Sequence, residues 1–139
     1  MRRVILATHG ELSKGMHNSI KLIIGDMAND IETYSLYIGK SPVDYVNEIR
    51  LDVESKEDTE FIFITDIKGG SVHTALMELC VYKNVKLFSG MNMNLVLDIL
   101  LSFPEEISNK KSEIIISQAR EGMTFLDYQS LNADENEEF

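Results

Sequence analysis

The fold is indicated first by residues 61–71, Phe61-Ile62-Phe63-Ile64-Thr65-Asp66-Ile67-Lys68-Gly69-Gly70-Ser71. This apolar run stops abruptly at polar residues and glycines, which is typical of a buried strand that ends in a loop. A second run of the same kind, Val4-Ile5-Leu6-Ala7-Thr8-His9-Gly10, lies near the start of the chain. Parallel strands of one sheet have their carboxyl ends at the same edge, where open α/β folds place their ligands. We therefore expect His9 and Asp66 to face each other.

Strand and helix patterns alternate along the chain. The apolar patterns predict strands at Arg3–Thr8, Thr33–Tyr37, from Phe61 onward, Val85–Ser89 and Thr124–Gln129. They predict helices at Glu11–Ile24, Ser41–Val53, Val72–Tyr82, Asn94–Ser102 and Glu113–Gly122. In the last of these, Ile114-Ile115-Ile116 would also suit a strand. This order predicts an α/β fold, a three-layer sandwich with a mainly parallel central sheet and helices on both faces.

The length of the chain indicates how many domains it forms, and its charge limits the partners it can bind. A chain of 139 residues fits one domain, which we assign to residues 1–130, followed by a solvated acidic tail at 131–139. The net charge of −10 repels polyphosphate backbones, and the basic residues form no cluster larger than a pair such as Lys110-Lys111. Nucleic acid is therefore not expected as a partner.

The single cysteine and the apolar stretches bear on the compartment. Cys80 excludes a disulfide framework, and its place in a predicted amphipathic helix suggests a buried structural thiol. The apolar run at the start of the chain is too short for a secretory signal. No apolar stretch of the sequence approaches the roughly 18 residues that span a bilayer. We expect a cytoplasmic protein.

The residues at the two strand ends suit nucleophilic chemistry at phosphorus. His9 would accept a phosphoryl group on a neutral ring, and Asp66 would fix the ring tautomer and stabilise the developing cation. Backbone N–H groups of Gly10, Gly70 and Ser71, with the Ser71 hydroxyl, would hold the phosphate oxygens. This chemistry requires neither a metal nor a cofactor.

Simpler interpretations exist for the same residues. His9 would also suit a packing role, Asp66 would also suit a helix cap, and Gly69-Gly70 would also suit a turn chosen only for backbone freedom. The spacing of His17 and His73 suggests no metal site, and both are expected to be ordinary surface or boundary residues.

Two other α/β architectures fit the sequence less well. A receiver-type domain keeps an aspartate after its third strand but needs an acidic pair after the first to hold Mg²⁺, where this chain has Thr8-His9. A flavodoxin-like domain needs a hydroxyl-rich phosphate loop after the first strand, which Glu11-Leu12-Ser13-Lys14 does not supply.

Four segments together resemble the enzyme IIA domains of the mannose class of the bacterial phosphoenolpyruvate-dependent sugar phosphotransferase system. These segments are Ala7–Gly10, Thr65–Ser71, Ser89–Leu95 and Ala119–Met123, and the resemblance extends to about Tyr128. It implies that His9 is the phosphorylated residue, supported by Asp66 and Ser71. It also implies a cytoplasmic homodimer in which the last strand crosses to the partner subunit.

The resemblance further implies the partners. The histidine-phosphorylated carrier protein HPr would donate the phosphoryl group. A separate IIB component, acting with membrane components IIC and IID, would receive it. The chain departs from the family at Val72, where proline is frequent, and at His73, where an aromatic residue is common. The related subunit of dihydroxyacetone kinase and a regulatory phosphorylation module are the alternatives.

Overall fold

The structure is a computed structural model that describes residues 1–137. Its strands are β1 (Arg2–His9), β2 (Glu32–Leu36), β3 (Glu60–Thr65) and β4 (Val85–Phe88). Its α-helices are α1 (Leu12–Ile24), α2 (Pro42–Ser55), α3 (Ser71–Leu76), α4 (Met93–Leu101), α5 (Asn109–Glu121) and α6 (Tyr128–Glu137). Two 3-10 turns, Gly25–Ala28 and Met77–Val81, follow α1 and α3.

The four strands form one parallel sheet in the order β2-β1-β3-β4. Strand β1 pairs with β2 on one side and with β3 on the other, so the strand order reverses between β1 and β3. In open α/β sheets such a switch point opens a crevice at the carboxyl ends of the strands. His9 ends β1 and Asp66 directly follows β3, so both lie at this crevice.

Side chains of the sheet alternate between two apolar cores. Val4 and Leu6 of β1 face α1, α4 and α5, where they pack with buried residues such as Ile20, Leu95 and Ile115. Ile5 and Ala7 face α2 and α3, where they pack in a second buried cluster. The expected α/β sandwich, with helices on both faces of a parallel sheet, is confirmed.

Side-chain caps explain where several helices begin. The Ser41 hydroxyl accepts the N–H of Val43 before Pro42 opens α2, and Asn92 Oδ1 accepts the N–H of Leu95 at the start of α4. Ser108 caps α5 in the same way. This cap starts α5 four residues before the predicted Glu113, and residues 114–116 are helical rather than extended.

The prediction of a buried Cys80 is wrong, because its side chain is exposed. The predicted helix Val72–Tyr82 ends as α-helix at Leu76 and continues as the 3-10 turn Met77–Val81. A 3-10 turn aligns residues three apart, so Leu79 stays under Leu76 in the core and Cys80 turns outward.

The predicted strand Thr124–Gln129 is also wrong for the chain as the structure describes it. Residues 124–127 have no regular structure, and α6 begins at Tyr128. Asp127 Oδ1 accepts both the N–H and the hydroxyl of Ser130, each at 2.8 Å, which is an N-terminal helix cap. This helix continues into the predicted acidic tail 131–139, of which residues 138 and 139 lie outside the described residues.

A partly buried ion pair fixes the amino-terminal edge of the sheet, opposite the crevice. Arg2 Nε donates to Glu60 Oε1 at 3.0 Å, and Glu60 Oε2 accepts the N–H of Ile107 at 2.8 Å. Arg2 also donates to the carbonyl oxygens of Phe103 and Glu105. These contacts attach the segment between α4 and α5 to β1 and β3.

Candidate functional site

One carboxylate oxygen holds both the backbone and the ring of His9. Asp66 Oδ2 accepts the His9 backbone N–H at 3.0 Å and lies 2.8 Å from ring Nδ1. The other oxygen, Oδ1, accepts the N–H of Ile67 at 3.0 Å. The side chain of Asp66 is 12% exposed and that of His9 is 46% exposed. The carboxylate is therefore held inside the crevice while the imidazole reaches solvent.

These contacts determine the tautomer of His9. Burial raises the pKa of Asp66, but the hydrogen bonds from the backbone N–H and the ring of His9 outweigh it, so the pKa lies below its ordinary value. A carboxylate is only an acceptor, so Nδ1 of the neutral ring carries the proton and donates it to Oδ2. The lone pair is then on Nε2, at the solvent side of the ring.

Ser71 meets the ring on this free side. Its hydroxyl oxygen lies 3.2 Å from Nε2 of His9, and with a lone pair on Nε2 the hydroxyl is the donor. The site thus places a nucleophilic nitrogen, a hydroxyl group and an exposed surface next to one another. This arrangement can accept a group delivered by another molecule.

Glycine is favoured at residue 70 by close approach rather than by backbone angle. Gly70 has an ordinary φ of −69°, but a Cβ there would lie 3.0 Å from Cε1 of His9 and 2.8 Å from Cγ2 of Ile67. Gly10 and Gly69 differ, because their φ angles of 54° and 81° lie in the left-handed region that favours glycine.

The backbone donors expected to hold phosphate are not equally free in this structure. The N–H of Gly10 donates to the carbonyl of Leu36 at 2.7 Å, and the N–H of Gly70 donates to the carbonyl of Ile67 at 3.2 Å. Ser71 begins α3, and the first N–H groups of a helix have no acceptor within it. Ser71 therefore offers the site both a hydroxyl and a backbone donor.

Sequence reasoning missed a buried hydroxyl pair behind His9. Thr8 Oγ1 accepts the N–H of Ser13 at 2.8 Å, and Ser13 Oγ donates to the carbonyl of Tyr34 at 3.0 Å. Both hydroxyl residues are fully buried. They tie the start of α1 to the carboxyl ends of β1 and β2, which fixes the backbone on either side of His9. Two small hydroxyl residues that flank a strand-to-helix turn were the available signal.

The structure decides the simpler interpretation of Asp66. Helix α3 begins at Ser71 with Gly70 as its N-terminal cap residue, so Asp66 does not cap it. The other histidines lie apart from the Asp66 contact: His17 Nε2 is 2.8 Å from the carbonyl of Ala28, and His73 Nδ1 is 3.2 Å from the N–H of Gly69.

Two features of residues 1–137 bear on metals and membranes. Within them, no group of three or more His, Cys, Asp or Glu side chains is placed to hold a metal ion. None of the helices described there is long and apolar enough to cross a membrane.

A family comparison identifies the chain. The model of the family described as "PTS system fructose IIA component" matches residues 3–115. The chain belongs to this family. The resemblance to mannose-class IIA domains of the sugar phosphotransferase system (PTS) is thereby confirmed, and with it a general role in sugar phosphotransfer. No curated protein gives a significant sequence match.

Solved structures share the fold over most of their length. A protein of Klebsiella pneumoniae described as a phosphoenolpyruvate-dependent sugar PTS permease is 30% identical, with a TM-score of 0.78 over 89% of this chain and 90% of that one. The component EIIA of Streptococcus agalactiae is 24% identical, with a TM-score of 0.77 over 94% and 99%. The mannose/sorbose-specific IIA subunit of Enterococcus faecalis is 18% identical, with a TM-score of 0.77 over 91% and 95%. The last two support the fold alone.

Proposed function

We propose that this IIA component is a phosphocarrier whose His9 receives a phosphoryl group from phospho-HPr and passes it to a IIB component. The observation that carries the proposal is the opposite environment of the two ring nitrogens of His9. Nδ1 is bound to the partly buried carboxylate of Asp66, and Nε2 lies at the surface beside Ser71. A nucleophile of this kind is oriented before its reaction partner arrives.

The reaction is a displacement at phosphorus between two imidazoles. The Nε2 lone pair of His9 forms the new N–P bond while the N–P bond to the donor histidine breaks, and its electron pair returns to that imidazole. Nδ1 keeps its proton throughout, and Asp66 stabilises the positive charge that develops on the ring. Transfer to IIB is the same step with His9 as the leaving group.

Ser71 changes its role during this step. Its hydroxyl donates to Nε2 in the free protein and has to release that lone pair before attack. Once phosphorus occupies the position in front of Nε2, the hydroxyl and the Ser71 N–H are placed to donate to phosphoryl oxygens. No fixed cation is needed to hold the group, which suits a phosphoryl group that has to leave again.

The remaining parts of the proposal concern the setting. HPr and IIB act in the cytoplasm, so we place this protein there, with membrane components IIC and IID completing sugar uptake and phosphorylation. The subunit is proposed to be a homodimer. Membership of the family and the exposed position of His9 support these partners.

The test is transfer of labelled phosphate from phosphoenolpyruvate through enzyme I and HPr. The wild-type protein should gain one acid-labile, base-stable phosphoryl group per chain, and His9→Ala should gain none. His17→Ala is the matched control, because His17 lies on α1 with its ring against the carbonyl of Ala28, and it should be labelled normally. Labelling that persists in His9→Ala would overturn the assignment.

A further inference from the structure

His73 is bonded to the turn that carries the phosphoryl-transfer site. It lies in the first turn of α3, and its Nδ1 is 3.2 Å from the backbone nitrogen of Gly69. A backbone N–H only donates, so Nδ1 of His73 is the acceptor and carries no proton in this arrangement. The side chain is half-buried rather than free in solvent.

The Gly69–Gly70 turn depends on few hydrogen bonds. Gly69 has a φ of 81°, and the N–H of Gly70 donates to the carbonyl of Ile67. The N–H of Thr74 donates to the carbonyl of Gly70 at 2.9 Å as the helix begins. The His73 ring adds a bond from the helix back to the Gly69 N–H, so the turn is tied to α3 on both sides of Gly70.

The position of this turn determines two contacts of His9. Gly70 lies directly against Cε1 of the His9 ring, and Ser71 places its hydroxyl 3.2 Å from Nε2. A rotation of the turn would move both groups relative to the nucleophile. Positioning errors of about 1 Å can reduce enzymatic rates by about 100-fold.

We propose that His73 is a positioning residue for phosphoryl transfer: its Nδ1 holds the Gly69–Gly70 turn and thereby keeps the hydroxyl of Ser71 in register with Nε2 of His9. The inference rests on the proposed function, since it assigns His73 a part in that reaction. It replaces the sequence interpretation of His73 as an ordinary boundary residue.

The first test uses two substitutions that differ in one acceptor. In His73→Asn, Oδ1 is separated from the backbone by the same number of bonds as Nδ1 of histidine, so it can accept the Gly69 N–H. In His73→Leu, a methyl group takes that place. Transfer from phospho-HPr should slow about tenfold in His73→Leu, the scale of one hydrogen bond, and stay within about threefold of wild type in His73→Asn. Equal rates in the two variants would overturn the inference.

The second test is a double-mutant cycle with Ser71. If His73 acts by placing Ser71, then Ser71→Ala with His73→Leu should be hardly slower than Ser71→Ala alone. A double variant slowed by the product of the two single effects would show that His73 does not act through the Ser71 hydroxyl, and would overturn the proposal.

The third test needs no substitution. An N–H···N hydrogen bond transmits a scalar coupling between its two nitrogens, so ¹⁵N NMR of the wild-type protein should show coupling between Gly69 N and His73 Nδ1. Absence of this coupling would overturn the hydrogen bond even if His73→Leu failed to fold. If the wild-type protein received no labelled phosphate from phospho-HPr, the proposed function and this inference would both be overturned. If the wild type were labelled and His73→Leu were labelled equally fast, only the inference would be overturned.

Discussion

Gly70 packs so closely against the ring of His9 that even a methyl group there would press on the imidazole. A Cβ at Gly70 would lie 3.0 Å from Cε1 of His9. Ile67 lies on the other side of the same position, but its side chain is exposed and can rotate away. The imidazole has less freedom because Asp66 binds it through Nδ1.

Gly70→Ala should therefore impair transfer more than folding. The φ of −69° accepts alanine, so the cost falls on the contact with His9, and we expect phosphorylation by phospho-HPr to slow about tenfold. Gly15→Ala is the control, because a Cβ there meets nothing within 4 Å. It should leave the rate unchanged and stabilise α1 by up to about 1 kcal/mol. Equal rates for Gly70→Ala and wild type would contradict the packing argument.

Asp66→Asn should slow phosphoryl transfer by about 100-fold or more. Three N–H groups point at this carboxylate: the backbone and ring N–H of His9 and the backbone N–H of Ile67. An asparagine has one acceptor oxygen, so in either orientation its NH₂ group faces at least one of these donors. The variant also loses the charge that stabilises the cationic ring.

The measurements for Asp66→Asn are the single-turnover rate from phospho-HPr and the His9 ring tautomer, read from its ¹⁵N shifts. In the wild type the proton should be on Nδ1. A variant with a wild-type rate would show that Asp66 does not orient His9, while leaving His9 as the acceptor.

The lowered pKa of Asp66 also predicts how the free energy of unfolding depends on pH. Its pKa in the folded protein lies below the ordinary value of 3.8, because the bonds from His9 outweigh the effect of burial. A lowered carboxyl pKa contributes stability at pH values above the unfolded pKa, and this contribution is lost as the pH falls through the folded pKa. The free energy of unfolding, measured with urea from neutral pH to about pH 3, should therefore fall less steeply in Asp66→Asn than in wild type. Parallel curves would contradict the lowered pKa.

The site could be predicted from the sequence because His9 ends one buried strand and Asp66 directly follows another. The apolar runs ending at His9 and Asp66 place each residue at a strand end, and parallel pairing brings the ends together. The hydrogen-bond partners of the backbone N–H groups at the site were harder to predict. The acceptors of the Gly10 and Gly70 N–H groups are carbonyls of Leu36 and Ile67, and a backbone bond of this kind leaves no mark in side-chain patterns.

Other predictions were wrong where the sequence pattern fits two local structures about equally well. Helical periodicity does not distinguish an α-helix from its 3-10 continuation, and that difference turned Cys80 outward. The third strand is predicted from Phe61 onward, but Glu60 already begins β3 as a buried residue because Arg2 lies opposite to pair with it. Such a partner is far away in the sequence, so only the sheet register reveals it.

Glu60→Ala should destabilise the fold without changing the chemistry. The substitution leaves the partly buried Arg2 guanidinium without its carboxylate and the Ile107 N–H without its acceptor, a loss of about 3 kcal/mol. Glu105→Ala is the control, because its exposed carboxylate lies 3.9 Å from Lys111 and should contribute less than about 1 kcal/mol. Urea denaturation measures both. The rate of phosphoryl transfer per folded molecule should remain normal, since Glu60 lies at the edge opposite His9. If Glu60→Ala lowered the free energy of unfolding by no more than Glu105→Ala does, the structural role of Glu60 would be contradicted.

The segment after α5 should join two copies of the chain. Its apolar side chains are largely uncovered, with Phe125 80% exposed and Met123, Leu126 and Tyr128 exposed as well. Exposed apolar side chains clustered in this way favour burial against another surface, and the resemblance to mannose-class IIA domains implies a homodimer.

We expect the full chain to sediment as a dimer at micromolar concentration, and Phe125→Asp to weaken the dimer by about 100-fold or more, because a symmetric dimer contains the substitution twice. Leu51→Asp, the same apolar-to-charged change at an exposed position of α2, is the control and should leave the dimer intact. If both variants weakened the dimer equally, general surface hydrophobicity rather than this segment would hold it. If the wild type sedimented as a monomer, the exposed side chains after α5 would have no partner in a second copy, and the homodimer would be excluded while the assignment of His9 remained.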